Sequence, residues 1–271
     1  MYNEKDDFLH HEKEIADFLL FLKRAEVGTR DGMTVLDIGA GQGMHAGFLA
    51  EHFQDVYCSD IIDYTSLYGG EFFKLLQEKY ARNGYRINLS KVHFIRADGM
   101  NLIFRDTFFD MIVSFNMFEH VPEPETVLKE MVRCAKDGGY IYIQFDPIWT
   151  ADTGSHFFHR VPEPWAHLVY SDDEFVSKMR TSGAPESETE EYRNAMNRKR
   201  VLYYRTLIGN LVKRGDIHLI SQEFWSGLSH ENHKDHPFFK RCLQRGFHEE
   251  ELLLRGGRVL LGKGKRPLDK K

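Results

Sequence analysis

Cysteines are few in this sequence, and it has no long apolar run. Cys58, Cys134 and Cys242 are the only cysteines among 271 residues. Their odd number and unpaired spacing argue against a disulfide framework and indicate reduced thiols. No apolar stretch approaches the roughly 20 residues that span a bilayer, and the acidic start MYNEKDDFLHHEKE lacks the features of a secretory signal. We therefore expect a cytoplasmic protein without a membrane segment.

An excess of basic charge is also missing. The chain has 36 Lys and Arg residues against 41 Asp and Glu residues, a formal net charge of −5. This balance argues against a dedicated nucleic-acid binder. The Lys-rich end KGKRPLDKK could contact RNA, but no aromatic platform accompanies its charge, so a solvated tail is the preferred interpretation.

Apolar strands alternate with helices over the first half of the chain. The predicted strands are MTVLDI, DVYCSD, VHFIRAD, FDMIVSFNM and YIYIQFD. Helices are predicted for residues 6–26, 44–53 and 69–82 and for PETVLKEMVRCAK, the last ending at Gly138 and Gly139. This rhythm predicts βαβ units and an α/β fold, with a mostly parallel sheet covered by helices on both faces.

The rhythm changes after Pro147. Residues 147–189 are rich in His, Pro, Ser and acidic residues, and we expect them to be mostly irregular. The apolar spacing of residues 190–214 predicts one long amphipathic helix. Two closing strands, IHLISQEFW and GRVLLGKG, follow. Long irregular segments inside a domain are usually functional or disordered, and the aromatic content here argues against disorder.

Three glycines in five residues follow the first strand. Gly39, Gly41 and Gly43 precede a helix, where glycine permits a tight turn and lets a ligand lie against bare backbone. The helix N-terminus adds free N–H groups and a partial positive charge. Asp60 ends the next strand, where an acid can accept hydrogen bonds from ribose hydroxyls. The stretch therefore predicts a nucleoside site.

The spacing of the glycines indicates which kind of nucleoside binds at the turn. A dinucleotide fingerprint reads G-x-G-x-x-G, whereas here Gly39, Gly41 and Gly43 alternate and Asp37 precedes them. An acid at this turn would repel a pyrophosphate and would suit the ammonium of an amino acid. A ribose and an amino acid without phosphates describe S-adenosylmethionine.

The sequence resembles the class I S-adenosylmethionine-dependent methyltransferases over residues 33–147. VLDIGAGQG is similar to the first motif of that family, FDMIVSFNMFEHV to its fourth strand and the pocket residues after it, and CAKDGGYIYI to its helix–turn–strand signature. The resemblance implies a Rossmann-like, mostly parallel seven-stranded sheet with helices on both faces. It also implies S-adenosylmethionine as the cofactor.

The resemblance assigns cofactor contacts by position. The methionine end would be surrounded by Asp37, Gly39, Gly41 and Gly43, the ribose by Asp60 and Ile61, and the adenine by Asp98, Gly99 and Met100, with Asn116 facing the cofactor. Structural alternatives remain open for these residues: glycines that only shape a turn, Asp60 as a helix cap, Asp98 as a turn residue and Met100 as a core residue.

No metal is expected from the residues after the fourth strand. Glu119 and His120 match a frequent Glu-His pair of the family, and acids near this point bind a metal in some relatives. This chain lacks the second Glu that such sites show upstream. His156 and His159 have the His-x-x-His spacing of a metal pair, but no clear third ligand accompanies them.

The acceptor is expected beside residues 146–170, because ligands of open α/β sheets bind beyond the carboxyl ends of the strands. The segment resembles a subgroup linked with glycan and natural-product synthesis, through Gly154, His156, Pro164, Trp165, His167 and Leu168. The expected substrate contacts are Trp149, His159, Trp165 and His167. A hydroxyl acceptor needs a proton acceptor, for which His156 is the first choice and His120 the second. The alternative is that these histidines are surface or hydrogen-bonded residues.

The resemblance implies one methyltransferase domain over residues 1–271. Its parts are an N-terminal helical cap (1–32), a cofactor-binding core (33–146), a lid or substrate insertion (147–214) and closing strands with a helix (215–271). The expected reaction is in-line methyl transfer to a small-molecule or sugar acceptor, most simply an O-methylation. The alternatives are an RNA or protein methyltransferase, which the net charge disfavours, and an NAD-binding oxidoreductase or a non-catalytic nucleoside-binding module.

Overall fold

A seven-stranded sheet lies at the centre of this computed structural model, which describes residues 3–30, 32–226 and 233–265. The strands are β1 (Thr34–Ile38), β2 (Asp55–Asp60), β3 (Val92–Arg96), β4 (Phe109–Phe115), β5 (Ala135–Phe145), β6 (Ile217–Trp225) and β7 (Gly256–Lys263). Their order is β3-β2-β1-β4-β5-β7-β6. Neighbouring strands from β3 to β5 pair in parallel, and β7 runs antiparallel to both β5 and β6. The predicted fold class is confirmed; most of the Lys-rich end lies outside the described residues.

Eleven α-helices and one short 3₁₀ helix (Leu89–Lys91) accompany the sheet in the described part of the chain. In chain order, the α-helices are α1 (Glu4–Arg24), α2 (Ala46–Leu49), α3 (Tyr64–Leu67), α4 (Phe72–Arg82), α5 (Pro124–Cys134), α6 (Ala166–Val169), α7 (Asp172–Thr181), α8 (Glu186–Asn194), α9 (Val201–Arg214), α10 (Pro237–Gln244) and α11 (Glu249–Leu253). Each α-helix within residues 3–30, 32–226 and 233–265 is too short or too polar to cross a membrane.

The two faces of the sheet are covered by different helices. Successive side chains of a strand point to opposite faces: Val35 packs with α1, α2 and α4, whereas Leu36 packs with α5 and α9. A third cluster of buried side chains joins the segment 149–196 to α10 and α11. The segment after β5 is therefore packed against the end of the chain by apolar contacts of its own.

Three local predictions are wrong. The helix predicted over residues 44–53 spans only Ala46–Leu49. The helix after β4 ends at Cys134 instead of at the glycines, which belong to β5; Gly138 has φ +73°, and the register between β4 and β5 shifts beside it. The extra residues of a bulge need such a conformation. Residues 166–189, expected to be mostly irregular, contain α6, α7 and the start of α8.

The long helix predicted over residues 190–214 is two helices, α8 and α9. Arg198, between them, has φ +57°, which no α-helix continues through. The side-chain amide of Asn197 donates hydrogen bonds to the carbonyls of Phe118 (2.6 Å) and Val121 (2.8 Å). The break therefore fastens this segment to the loop after β4.

Candidate active site

The glycine turn after β1 presents bare backbone at the carboxyl edge of the sheet. The amides of Gly39 and Ala40 donate to the carbonyl of Ser59 at 2.8 and 3.1 Å, which holds the turn against the end of β2. A Cβ atom at Gly39 would lie 2.4 Å from Cγ of Met117. Gly41 has φ +53°, and apart from its own atoms and those of its two chain neighbours no heavy atom of the described residues lies within 4 Å of the place where its Cβ would be. The turn thus faces open space at Gly41.

Asp60 ties the same turn to the end of β2. One carboxylate oxygen accepts a hydrogen bond from the amide of Gly41 and the other from the amide of Ile62, both at 2.9 Å. Each oxygen of an ionised carboxylate keeps a further lone pair, and Asp60 is partly exposed. It can therefore accept two more hydrogen bonds from a ligand above the turn. Ile61 beside it is 63% exposed.

The turn after β3 closes the adenine side of the predicted site. A carboxylate oxygen of Asp98 accepts a hydrogen bond from the amide of Met100 at 2.8 Å. A Cβ atom at Gly99 would lie 3.3 Å from Cγ2 of Ile38, so the turn packs directly on β1. Met100 is half-buried against the cluster on the α5 face. Asp98 holds the turn, and its other oxygen is the one left for a ligand.

Two side chains at this edge carry three buried oxygens that have no hydrogen-bond donor among the described residues. Asp37 at the end of β1 is fully buried, and neither carboxylate oxygen has a hydrogen-bond partner among the described residues; the same holds for Oδ1 of Asn116. Burial raises the pKa of Asp37 well above its ordinary value, and the charges of Asp60 and Glu14 add to this. Buried acceptors are normally satisfied. A ligand that ends in an ammonium group would donate hydrogen bonds to these unpartnered oxygens.

A polar network from α1 reaches the same edge and was not predicted from the sequence. The carboxylate of Glu14 accepts hydrogen bonds from Nδ2 of Asn116 (2.7 Å) and Nε2 of Gln144 (2.9 Å), and it pairs with Nε2 of His45 (2.9 Å). Although burial opposes it, the hydrogen bond from His45 lowers the pKa of Glu14 below its ordinary value. The one signal available was an acid on the apolar face of α1, four residues before the buried Phe18.

Glu119, His120 and His156 form a cluster beyond β4 and β5, which we call the Glu-His-His cluster. One metal-ligating atom of each residue lies within 4.8 Å of the other two, and the two imidazole rings are 5.1 Å apart and nearly perpendicular. Nδ1 of His120 hydrogen-bonds to the carbonyl of Ala195 at 3.0 Å, and Nε2 of His156 to the carbonyl of Pro147 at 3.2 Å. The structure thus joins the two histidines that the sequence proposed as bases.

Burial dominates the electrostatics of this cluster. It raises the pKa of Glu119 to about 8, and it lowers the pKa of His156 to about 4 and the pKa of His120 to a smaller extent. The backbone amides of Glu119 and Asp146 lie near the carboxyl group of Glu119 and oppose part of the rise in its pKa. Neither forms a hydrogen bond of ordinary geometry, so both carboxylate oxygens of Glu119 are unpartnered within residues 3–30, 32–226 and 233–265.

The four expected substrate contacts lie in different surroundings. His159 is exposed and lies 3.8 Å from Glu188, and the fully buried indole of Trp165 donates to the carbonyl of Leu252. Nε2 of His167 hydrogen-bonds to the carbonyl of Trp149 at 2.7 Å, and the two rings are 4.6 Å apart. Their placement does not bring His159 or Trp165 to the Glu-His-His cluster, because the first points to Glu188 and the second packs against α10 and α11.

The comparisons with known proteins match the part of the chain that carries the glycine turn. Residues 36–143 match the family model described as a methyltransferase domain. The chain contains a class I S-adenosylmethionine-dependent methyltransferase domain. The cofactor of this domain is S-adenosylmethionine, and the unpartnered Asp37 and the open space at Gly41 fit it.

The curated relatives match this chain over only part of their length. An uncharacterized methyltransferase of Mycobacterium sp. (strain JLS) is 31% identical over 47% of this chain and 44% of its own length. One of Mycobacterium leprae (strain Br4923) is 41% identical over 23% of each chain. The matched region thus spans less than half of these curated relatives.

Solved structures share the fold over nearly the whole chain. The magnesium protoporphyrin IX methyltransferase of Synechocystis PCC 6803, with S-adenosylhomocysteine bound, has a TM-score of 0.52 at 13% identity and covers 94% of this chain and 84% of its own. The [4+2]-cyclase SpnF also has a TM-score of 0.52 at 13% identity and covers 93% and 81%. At such identities the likeness shows the fold alone, and the acceptor must be argued from the site.

Gly41→Ala is expected to weaken S-adenosylhomocysteine binding about tenfold or more, a loss of about 1.4 kcal/mol, because the new methyl group enters the open space above the turn. Gly138→Ala is the matched control: it also has positive φ and open space around the added Cβ, but it lies away from the turn. Both substitutions should cost stability by about 1–2 kcal/mol. Calorimetric titration of both variants separates the effects; equal affinities would place the cofactor elsewhere.

Asp37→Asn is expected to stabilise the cofactor-free protein, and more so as the pH rises. Folding raises the pKa of this carboxyl group above its unfolded value of about 3.9. The stability that the protonated group contributes is complete below the unfolded pKa, and it is lost as the pH rises toward the pKa of the folded state. The groups that face it, Asp60, Glu14 and the thiol of Cys58, add no positive charge. Thermal unfolding from pH 4.5 to pH 8 should show a growing advantage of the variant, while its affinity for S-adenosylmethionine falls. A constant difference would contradict this assignment.

Proposed function

We propose that the protein transfers the methyl group of S-adenosylmethionine to a hydroxyl oxygen of a small-molecule or sugar acceptor. The observation that supports this is the Glu-His-His cluster. A hydroxyl must lose its proton as the methyl group arrives, and catalysis gains when a polar group is positioned to take it. An acceptor that is already nucleophilic would not need a buried polar cluster to remove a proton.

The loop after β4 connects the cofactor side to the acceptor side. Asn116 is held in a positive-φ conformation (φ +49°), with its side chain on Glu14, and Glu119 and His120 follow three and four residues later. When bound, S-adenosylmethionine supplies an electrophilic methyl group on a sulfonium. The contribution of the chain is to orient the two reactants and to exclude water.

The segment 147–214 is proposed to cover the site and to determine which acceptor binds. It is fastened to the loop after β4, because the amide of Asn197 donates to the carbonyl of Glu119 at 2.9 Å and His120 hydrogen-bonds to Ala195. Trp149 and His167 pack together in this segment, and the guanidinium of Arg198 lies 4.9 Å from the Trp149 ring. These buried contacts give the segment a fixed shape, which a selective acceptor site needs.

A screen for methyl transfer tests the proposal directly. The protein is incubated with S-adenosylmethionine and matched sets of sugars, phenols, amines, RNA and proteins, and S-adenosylhomocysteine release is measured. Mass spectrometry then identifies the methylated atom. We expect methylation of an oxygen in a sugar or small molecule. Transfer only to amines, to RNA or to protein would contradict the proposed acceptor and favour the alternative of an RNA or protein methyltransferase.

A further inference from the structure

We infer that Glu119, His120 and His156 form a binding site for one divalent transition-metal ion. Two imidazoles and one carboxylate are the protein ligands of many zinc sites that keep an open position for water or substrate, and the set also suits other first-row metals. The sequence alone predicts no metal here, because the third ligand comes from the segment after β5 instead of from an upstream Glu.

The separation of the three side chains is close to that of a metal-bound set. With bonds of about 2.0–2.1 Å, the ligand atoms of a tetrahedral zinc site lie about 3.3 Å apart. The present separations of up to 4.8 Å therefore need only a small inward movement of each side chain.

Glu119 provides the second observation. Its side chain is 3% exposed, and within the described residues both carboxylate oxygens lack a hydrogen-bond donor. Leaving a buried polar group unpaired is unfavourable, and more so for a charged one. A cation bound between the carboxylate and the two imidazoles would satisfy these oxygens.

Each histidine has one ring nitrogen held by a backbone carbonyl, as metal-bound histidines commonly have. One ring nitrogen of a metal-bound histidine commonly donates to a carbonyl or a carboxylate, which fixes the tautomer and aims the other nitrogen at the ion. Here the carbonyls of Ala195 and Pro147 hold one nitrogen of His120 and of His156. The other nitrogen of each ring has no hydrogen-bond partner in the part of the chain that the structure describes. His156 is further constrained by its positive φ of 65°.

A rival group, His11, Glu14 and His45, also has ligand atoms within 4.8 Å of one another. Its carboxylate is already satisfied, since Glu14 accepts hydrogen bonds from Asn116 and Gln144 and pairs with His45. A metal there would have to displace these partners. No described residue donates a hydrogen bond to the carboxylate of Glu119, so the Glu-His-His cluster is the preferred site.

The role of the ion rests on the proposed function: it would hold the acceptor oxygen and lower the pKa of its hydroxyl group. The binding site itself does not depend on that role. Metal content is measured without any acceptor, so its failure and the failure of the proposed reaction can be told apart.

The test is metal binding by the full chain. The protein is stripped with a chelator and titrated with Zn²⁺ in a calorimeter, metal content is measured after dialysis, and Co²⁺ serves as a spectroscopic probe. We expect one equivalent in the parent. Glu119→Gln and His156→Ala should each weaken binding more than about 100-fold, because losing only an outer-shell partner already costs roughly 10- to 100-fold. Unchanged S-adenosylhomocysteine affinity shows that both variants are folded.

Two control variants identify the site. His11→Ala removes a member of the rival group, and His159→Ala removes the second residue of the His-x-x-His pair; both should keep the parent's metal content. A parent that binds no stoichiometric metal overturns the inference. So does a metal that is lost in His11→Ala and retained in Glu119→Gln, because the ion then belongs to the rival group.

Discussion

His156→Ala is expected to lower the turnover of methyl transfer by roughly 10²- to 10⁴-fold, whether the imidazole itself takes the proton of the acceptor or holds the ion that lowers the pKa of its hydroxyl group. The imidazole is held by the carbonyl of Pro147 and faces His120. The affinity for S-adenosylhomocysteine should stay unchanged, because the expected cofactor contacts lie on the glycine turn and on Asp60. Steady-state kinetics with the acceptor found in the screen, together with calorimetry, measures both quantities.

Two further variants serve as a control for this result and as a test of the ranking of the histidines. His52→Ala is the matched control, since this histidine is exposed just before β2, at the opposite edge of the sheet, and its turnover should equal the parent's. His120→Ala tests the ranking of the two histidines. If it stops turnover while His156→Ala does not, the ranking is reversed. If neither variant is slowed, the acceptor is a nucleophile that needs no proton acceptor, and the proposed O-methylation is wrong.

The sheet and its glycine turn could be predicted because their signals are local. Each strand is a short apolar run, each helix follows it with apolar spacing, and the glycines of the turn stand where only they tolerate the backbone. Gly39 and Gly43 both have φ +74°. The alternation of strands and helices then leaves few arrangements, since parallel neighbours need crossover connections.

The network around Glu14 could not be predicted, because its partners are far apart in the chain. Asn116 and Gln144 lie 102 and 130 residues beyond Glu14, and no periodicity of α1 indicates which side chains it will face. The break between α8 and α9 has a similar origin. The apolar spacing continues through it, but the hydrogen bonds of Asn197 to the loop after β4 outweigh the helix propensity of the segment.

The sequence indicated only part of the Glu-His-His cluster. Glu119 and His120 are adjacent and His156 was singled out, yet spacing alone suggested His159 as the partner of His156. Pairing across the sheet edge depends on how the segment after β5 turns back. A Cβ atom at Gly154 would lie 2.3 Å from the carbonyl oxygen of Trp149, which shows how tightly that segment folds on itself.

Asp60→Ala is expected to weaken cofactor binding by about 1–3 kcal/mol, the range for hydrogen bonds to a charged group, which corresponds to about 5- to 150-fold in affinity. The carboxylate now holds the amides of Gly41 and Ile62, so part of this loss could come from a loosened turn. Asp63→Ala is the control for local structure. Asp63 caps α3 through the amide of Ser66, so its loss should cost stability without changing cofactor affinity.

Ligand variants separate the ribose contact from the loosened turn. The parent should bind S-adenosylhomocysteine more tightly than an analogue that lacks the two ribose hydroxyls, because only the natural ligand donates to Asp60. Asp60→Ala should bind the two ligands almost equally, since the interaction is already lost and removing its second partner costs nothing more. If the variant still discriminates between them as strongly as the parent, the hydroxyls are bound elsewhere, and Asp60 acts only by holding the turn through Gly41.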